Sequence, residues 1–159
     1  MKKTIAVLLV LAVVMGGVFA DYPNSTVKLQ GSVGSLDPQF FLKYKASSSD
    51  VYGDAPETVS NVPLTNVGTT NTRYFAVWYN ANVVATKNVT ISIAATDFSS
   101  TNGDPGPAVT LSANTLSHTI GVGAVSDAQL GEFNVSWPGT SGLATGSYTS
   151  TVTLSYTVV

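Results

Sequence analysis

One histidine, no cysteine and two glutamates leave this chain of 159 residues few groups with which to do chemistry. His118 lies in Leu116-Ser117-His118-Thr119-Ile120, an alternating stretch that puts it on the same strand face as Leu116 and Ile120. A general base needs a second group to orient it, and no neighbour of that kind stands in the sequence. No nucleophile elbow, zinc-protease signature, phosphate loop or dinucleotide fingerprint occurs, so no catalytic residue is assigned. The chain is expected not to be an enzyme and to hold no cofactor. With no thiolate and one imidazole, a transition-metal site is not expected either. Calcium asks only for oxygen ligands, and Asp97, Asn102 and Asp104 offer three in one loop at a spacing unlike an EF-hand. Their bland role is turn formation. Asp50, Asp54 and Glu57 cluster around Val51-Tyr52-Gly53, again in loop-like sequence.

The aromatic residues offer a different chemistry. Within residues 72–81, Tyr74, Ala76 and Trp78 alternate with Phe75, Val77 and Tyr79. Both faces of this strand are therefore apolar or aromatic. Either it is covered on both sides, or one face looks outward and offers Tyr74, Phe75, Trp78 or Tyr79 to a partner, such as a flat sugar ring. Three Asn-x-Ser/Thr sequons begin at Asn24, Asn88 and Asn134 and would matter only where such sequons are glycosylated.

The positioning elements read as strands almost throughout. Lys2 and Lys3 precede the apolar run 5–14 and the cleavage-like Val18-Phe19-Ala20, which predicts a helical signal peptide over residues 1–20. Its apolar stretch is too short to span a bilayer, and no later segment is a candidate span. Removing 20 of the 159 residues leaves 139, enough for one domain over residues 21–159. Five of the seven basic residues would remain against nine acidic ones, so the mature chain is mildly acidic and nucleic acid is excluded as a partner. Charged residues make up only 10% of the chain, and Ser, Thr, Asn and Gly carry the surface instead.

Val27, Leu29 and Val33 alternate with polar neighbours, as do Phe40, Leu42 and Tyr44; Val89, Ile91 and Ile93 alternate with Thr90, Ser92 and Ala94. The turn formers of residues 99–107 follow, with Asn102-Gly103 suited to positive φ. Short strands are expected near Val109 and Ser117, and a clearer one carries Phe133, Val135 and Trp137 inward. A last strand places Tyr148, Val152, Leu154, Tyr156 and Val158 on one face and Thr149, Thr151, Thr153, Ser155 and Thr157 on the other. The expected fold is an all-β, antiparallel, immunoglobulin-like sandwich of roughly seven to nine strands.

Ala144-Thr145-Gly146-Ser147-Tyr148, followed by the alternating Thr/Val strand, resembles the C-terminal strand of secreted bacterial immunoglobulin-like sandwiches. Fimbrial subunits and spore-coat or extracellular-matrix proteins are of this kind. The resemblance spans about the last 30 residues and implies a secreted, non-catalytic structural or surface protein. Chaperone–usher subunits usually carry a disulfide, which this chain lacks. Residues 143–159 carry no charge, although edge strands are normally blunted by Lys, Pro or bulges. A filament, coat or surface layer assembled by strand pairing is therefore the first expectation. Residues 26–33 pair within their own domain or extend into a neighbour's sheet. An adhesin-like module for glycan or protein is the alternative. The expected location is periplasm, cell surface or medium.

Overall fold

The computed structural model describes residues 4–5, 25–28, 38–56, 58–60 and 62–159. The expected signal peptide lies outside these residues except for Thr4–Ile5, which form a two-residue strand and not part of a helix. Among the described residues thirteen strands run in chain order: β1 (Thr4–Ile5), β2 (Ser25–Lys28), β3 (Gln39–Lys45), β4 (Gly53–Asp54), β5 (Thr58–Ser60), β6 (Thr70–Val83) and β7 (Lys87–Ala95), then β8 (Ser99–Ser100), β9 (Thr110–Leu111), β10 (Thr115–Ile120), β11 (Gly123–Pro138), β12 (Tyr148–Ser150) and β13 (Val152–Val158). Four of them hold only two residues, which leaves nine of three or more. Among the described residues no helix is long and apolar enough to cross a membrane.

The strands form three ladders, ordered β1-β13-β7-β10, β4-β3-β6-β11-β9 and β5-β2-β12-β8. All pairings between these strands are antiparallel except that of β2 with β12, which is parallel. That pairing departs from the wholly antiparallel expectation. It also answers where the early segment goes, since Ser25–Lys28 pair within their own chain; Leu29 to Val33 lie outside the described residues. The strand expected to run unbroken from Tyr148 divides at Thr151. There the backbone N of Thr151 donates to Thr96 Oγ1 at 2.9 Å and its carbonyl accepts from Thr96 N at 2.8 Å. β12 thus serves one ladder and β13 another.

Alternation explains the core. Val89, Ile91 and Ile93 of β7 and Val152, Leu154 and Tyr156 of β13 are buried, while Thr90, Ser92 and Ala94 between them are exposed. Phe75, Val77 and Tyr79 of β6 bury against Phe133, Val135 and Trp137 of β11 and Phe40 of β3. Rings join the ladders across this core: Phe40 meets Tyr156 at 4.8 Å between centroids, and Phe98 meets Trp137 edge-on at 5.3 Å. Trp137 and Tyr148, read as core residues, are 1% and 0% exposed. Three polar groups carried into the core find partners, which offsets the cost of their burial. Trp137 Nε1 donates to Pro63 O at 2.8 Å, Tyr148 Oη to Ala144 O at 3.1 Å and Ser150 Oγ to Thr96 O at 2.8 Å.

Candidate functional site: the outer face of β3–β6–β11 and the edge of β13

β6 is flanked by β3 and β11, so its outward side chains lie in rows. Phe41, Trp78 and Gln129 share one rung, Lys43, Ala76 and Glu132 the next, and Lys45, Tyr74 and Asn134 the third. Of the four aromatic residues expected as a partner surface, Phe75 and Tyr79 point into the core at 1% and 5% exposure. Only Tyr74 and Trp78 face outward, and both are half-buried.

What covers them is cationic. Lys43 Nζ sits 4.1 Å from the centre of the Trp78 ring and 5.6 Å from that of Phe41. Lys45 Nζ lies 4.5 Å from the Tyr52 ring and 5.5 Å from Tyr74. Each ammonium is drawn to the negative face of the rings, and each lysine stem covers apolar surface. Lys43 Nζ also bonds Asp127 Oδ1 at 3.0 Å, and Lys45 Nζ donates to Ser48 O at 3.2 Å. The Tyr52 hydroxyl is pushed up to about 12, first by burial and then by the nearby Glu132 carboxylate. Glu132 does not close a well-aligned hydrogen bond to it, and both Tyr52 Oη and Trp78 Nε1 are buried without a partner. Glu132 instead accepts from Gln129 Nε2 at 2.8 Å. This face is a layer of rings and lysines in which the ring faces meet ammonium groups while two ring polar atoms stay unpaired.

Asp127 owes its place to irregularity in β11. The register shifts between Val125 and Ala128, and Asp127 takes φ 53°, a left-handed conformation that Asp tolerates better than most residues. Its backbone N donates to Asn80 Oδ1 at 2.7 Å. Beside it Gln39, Asn80, Ala81, Asn82 and Val125 line an open pocket of about 290 Å³. Three of these five residues are amides, which both donate and accept.

The other residues singled out in the sequence make the following contacts. Asp97 Oδ1 accepts from Val109 N at 2.7 Å, and Asp104 Oδ2 accepts from Ser100 Oγ at 2.9 Å. Asn102 donates its backbone N–H to the same Ser100 hydroxyl at 3.2 Å. Among the described residues no group of three or more His, Cys, Asp or Glu is gathered. Glu57 lies outside the described residues. His118 Nε2 lies 3.2 Å from Tyr79 Oη with the rings tilted against each other. Of the sequons, Asn88 is exposed at the start of β7, where Thr119 Oγ1 donates to its Oδ1; Asn134 lies in the aromatic rows; and Asn24 lies outside the described residues.

Sequence reasoning missed Lys43 over Trp78, Lys45 between Tyr52 and Tyr74, Asp127 beside Lys43, and the amides Gln39, Asn80 and Asn82 of the pocket. Phe41, Lys43 and Lys45 do share one strand face in the sequence, and that was the available signal.

The second feature is an edge. β13 pairs with β7 along its whole length, but among the described residues its other side is met only by β1, at Tyr156 and Thr157. β2 meets the same side of the chain earlier, along β12. Along residues 152–155 no described strand pairs on that side, and no charge stands in β13.

Comparison with protein-family models, with curated proteins and with solved structures finds no match to this chain.

Proposed function

We propose that the exported chain is a non-catalytic structural protein of the periplasm, cell surface or medium, assembled with other protein subunits through the edge of β13. The observation that carries this reading is that edge: seven uncharged residues whose outer side, among the described residues, is met only by Thr4–Ile5. Those two residues fall inside the expected signal peptide. Its removal would leave no described residue paired with the outer side of β13, whose N–H and C=O groups are a template for another strand. Ser25–Lys28 are not the donor in this account, because β2 is used internally.

An immunoglobulin-like sandwich is the architecture this reading assumes. Its support is the Tyr148 hydroxyl bonded back to Ala144 O, the corner that such domains build two residues before a core cysteine. Here Ser150 stands at that position and bonds Thr96 O. The strand order is the chain's own, since β13 pairs with β7, whereas immunoglobulin domains pair their last two long strands.

The test is the size distribution of the exported chain over a hundredfold concentration range by light scattering. Average mass is expected to rise with concentration, and Thr153→Lys with Ser155→Lys is expected to abolish the rise while near-ultraviolet dichroism stays unchanged. A monomer at every concentration rejects the reading.

The amide-lined pocket beside Asp127 favours a second reading, a module for a neutral glycan whose hydroxyls pair with Gln39, Asn80 and Asn82. A glycan array distinguishes it: binding lost in Asn80→Ala supports it, and no signal on any neutral glycan rejects it.

A further inference from the structure

The sequence of β13 reads Val152-Thr153-Leu154-Ser155-Tyr156-Thr157-Val158. Turned end for end about Ser155, it places Val against Val, Thr against Thr, Leu against Tyr and Ser against Ser. A strand that is its own complement in this way suits an isologous two-fold contact, in which each residue i meets j while j meets i. We infer that, after leader removal, the partner of β13 is β13 of a second copy, antiparallel and centred on Ser155. This deepens the proposed function and rests on it.

The faces agree with this register. Val152, Leu154 and Tyr156 point to the core, so the join sets Leu154 beside the partner copy's Tyr156, and Val152 beside its Val158, twice each. Aromatic–aliphatic and β-branched neighbours of this kind are favourable cross-strand pairs. On the opposite face Thr153 meets Thr157 twice, and Ser155 meets its own copy on the axis. No charge opposes a like charge, because β13 contains none. Among the described residues the geometry also leaves room. β2 lies along residues 148–150, and in an antiparallel ladder of 152–158 those residues fall beyond the end of the partner copy's strand. The product is a continuous sheet ordered β10-β7-β13-β13-β7-β10. Before processing, β1 occupies the rungs at Tyr156 and Thr157 and caps this edge.

The absence of cysteine makes the test direct. Ser155→Cys places one thiol on the proposed two-fold axis. Ser92→Cys places one on the same rung and the same face, one strand inward, and Ser92 is exposed. Both variants are exported, their N-termini are read by mass spectrometry, and disulfide formation is followed under mild oxidation at matched concentration. The expected result is a Ser155→Cys dimer forming at least tenfold faster than the Ser92→Cys dimer, with unchanged tryptophan emission in both. Equal rates in a chain that still self-associates overturn the two-fold β13 contact and leave assembly through another register or edge. Equal rates in a chain that stays monomeric overturn both readings. Should Ser155→Cys fail to fold, Thr153→Cys combined with Thr157→Cys tests the same register and is judged by the same comparison.

Discussion

Replacing Tyr148 by Phe removes a single oxygen from the most enclosed ring of the fold, one that is 0% exposed. The hydroxyl donates to Ala144 O at 3.1 Å, tying the start of β12 to the loop before it. The ring stays, so its apolar burial is kept and the loss is that of one hydrogen bond, about 0.5–1.5 kcal/mol net. Ala144 is exposed, so its carbonyl regains water and no buried acceptor is left orphaned. That places the expected cost near 1 kcal/mol, well below the ~3–5 kcal/mol of deleting an aromatic ring outright. With a urea m-value of about 2 kcal/mol/M, the midpoint should fall by roughly 0.5 M at constant slope. Equilibrium unfolding monitored by the buried Trp137 reads this directly. An unchanged midpoint would mean that the corner does not hold β12. A loss above about 3 kcal/mol would mean that the hydroxyl serves a group other than Ala144.

Further outcomes follow from contacts already described. A Cβ on Gly106 would stand 2.7 Å from Phe98 Cβ and 2.9 Å from the Tyr148 ring, both buried, so Gly106→Ala should cost about 1–3 kcal/mol in thermal unfolding. Lys43→Met keeps the stem over Trp78 but loses the ring–cation contact and a partly exposed ion pair; about 1 kcal/mol and a shifted Trp78 emission are expected. Tyr52 is raised from 10.0 to about 12 in the fold. The folded state therefore holds this proton more tightly than the unfolded chain, and the associated stability is present below pH 10 and lost as pH rises towards 12. Tyr44, Tyr148 and Tyr156 are raised in the same direction, chiefly by burial. Tyr52→Phe should make unfolding free energy fall less steeply between pH 10 and 12; an identical slope would refute the assignment.

Where a strand is straight, its sequence already tells which face is buried. β7 and β13 alternate strictly, and the period of two predicts Val89, Ile91, Ile93, Val152, Leu154 and Tyr156 as core. β11 breaks that rule. Its second register shift makes Leu130 an extra residue between Gln129 and Gly131, so Leu130 and Phe133 turn inward three positions apart. A period-two reading therefore catches the strand only from Phe133 onward. The parallel pairing of β2 with β12 joins residues more than a hundred positions apart, and no local pattern encodes it. The aromatic strand was legible as having two apolar faces. Which face was spare depended on register: Lys43 opposite Ala76 lets its ammonium reach Trp78, and only the β11 bulge brings Asp127 to Lys43.

The edge of β13 carries the account, and amide hydrogen exchange of residues 152–158 in the exported chain tests it most directly. If copies pair through this edge, the outward amides of β13 should become protected as concentration rises, while those of β7, already paired on both sides, should not change. Protection of β13 that is the same at low and high concentration would contradict assembly through this strand.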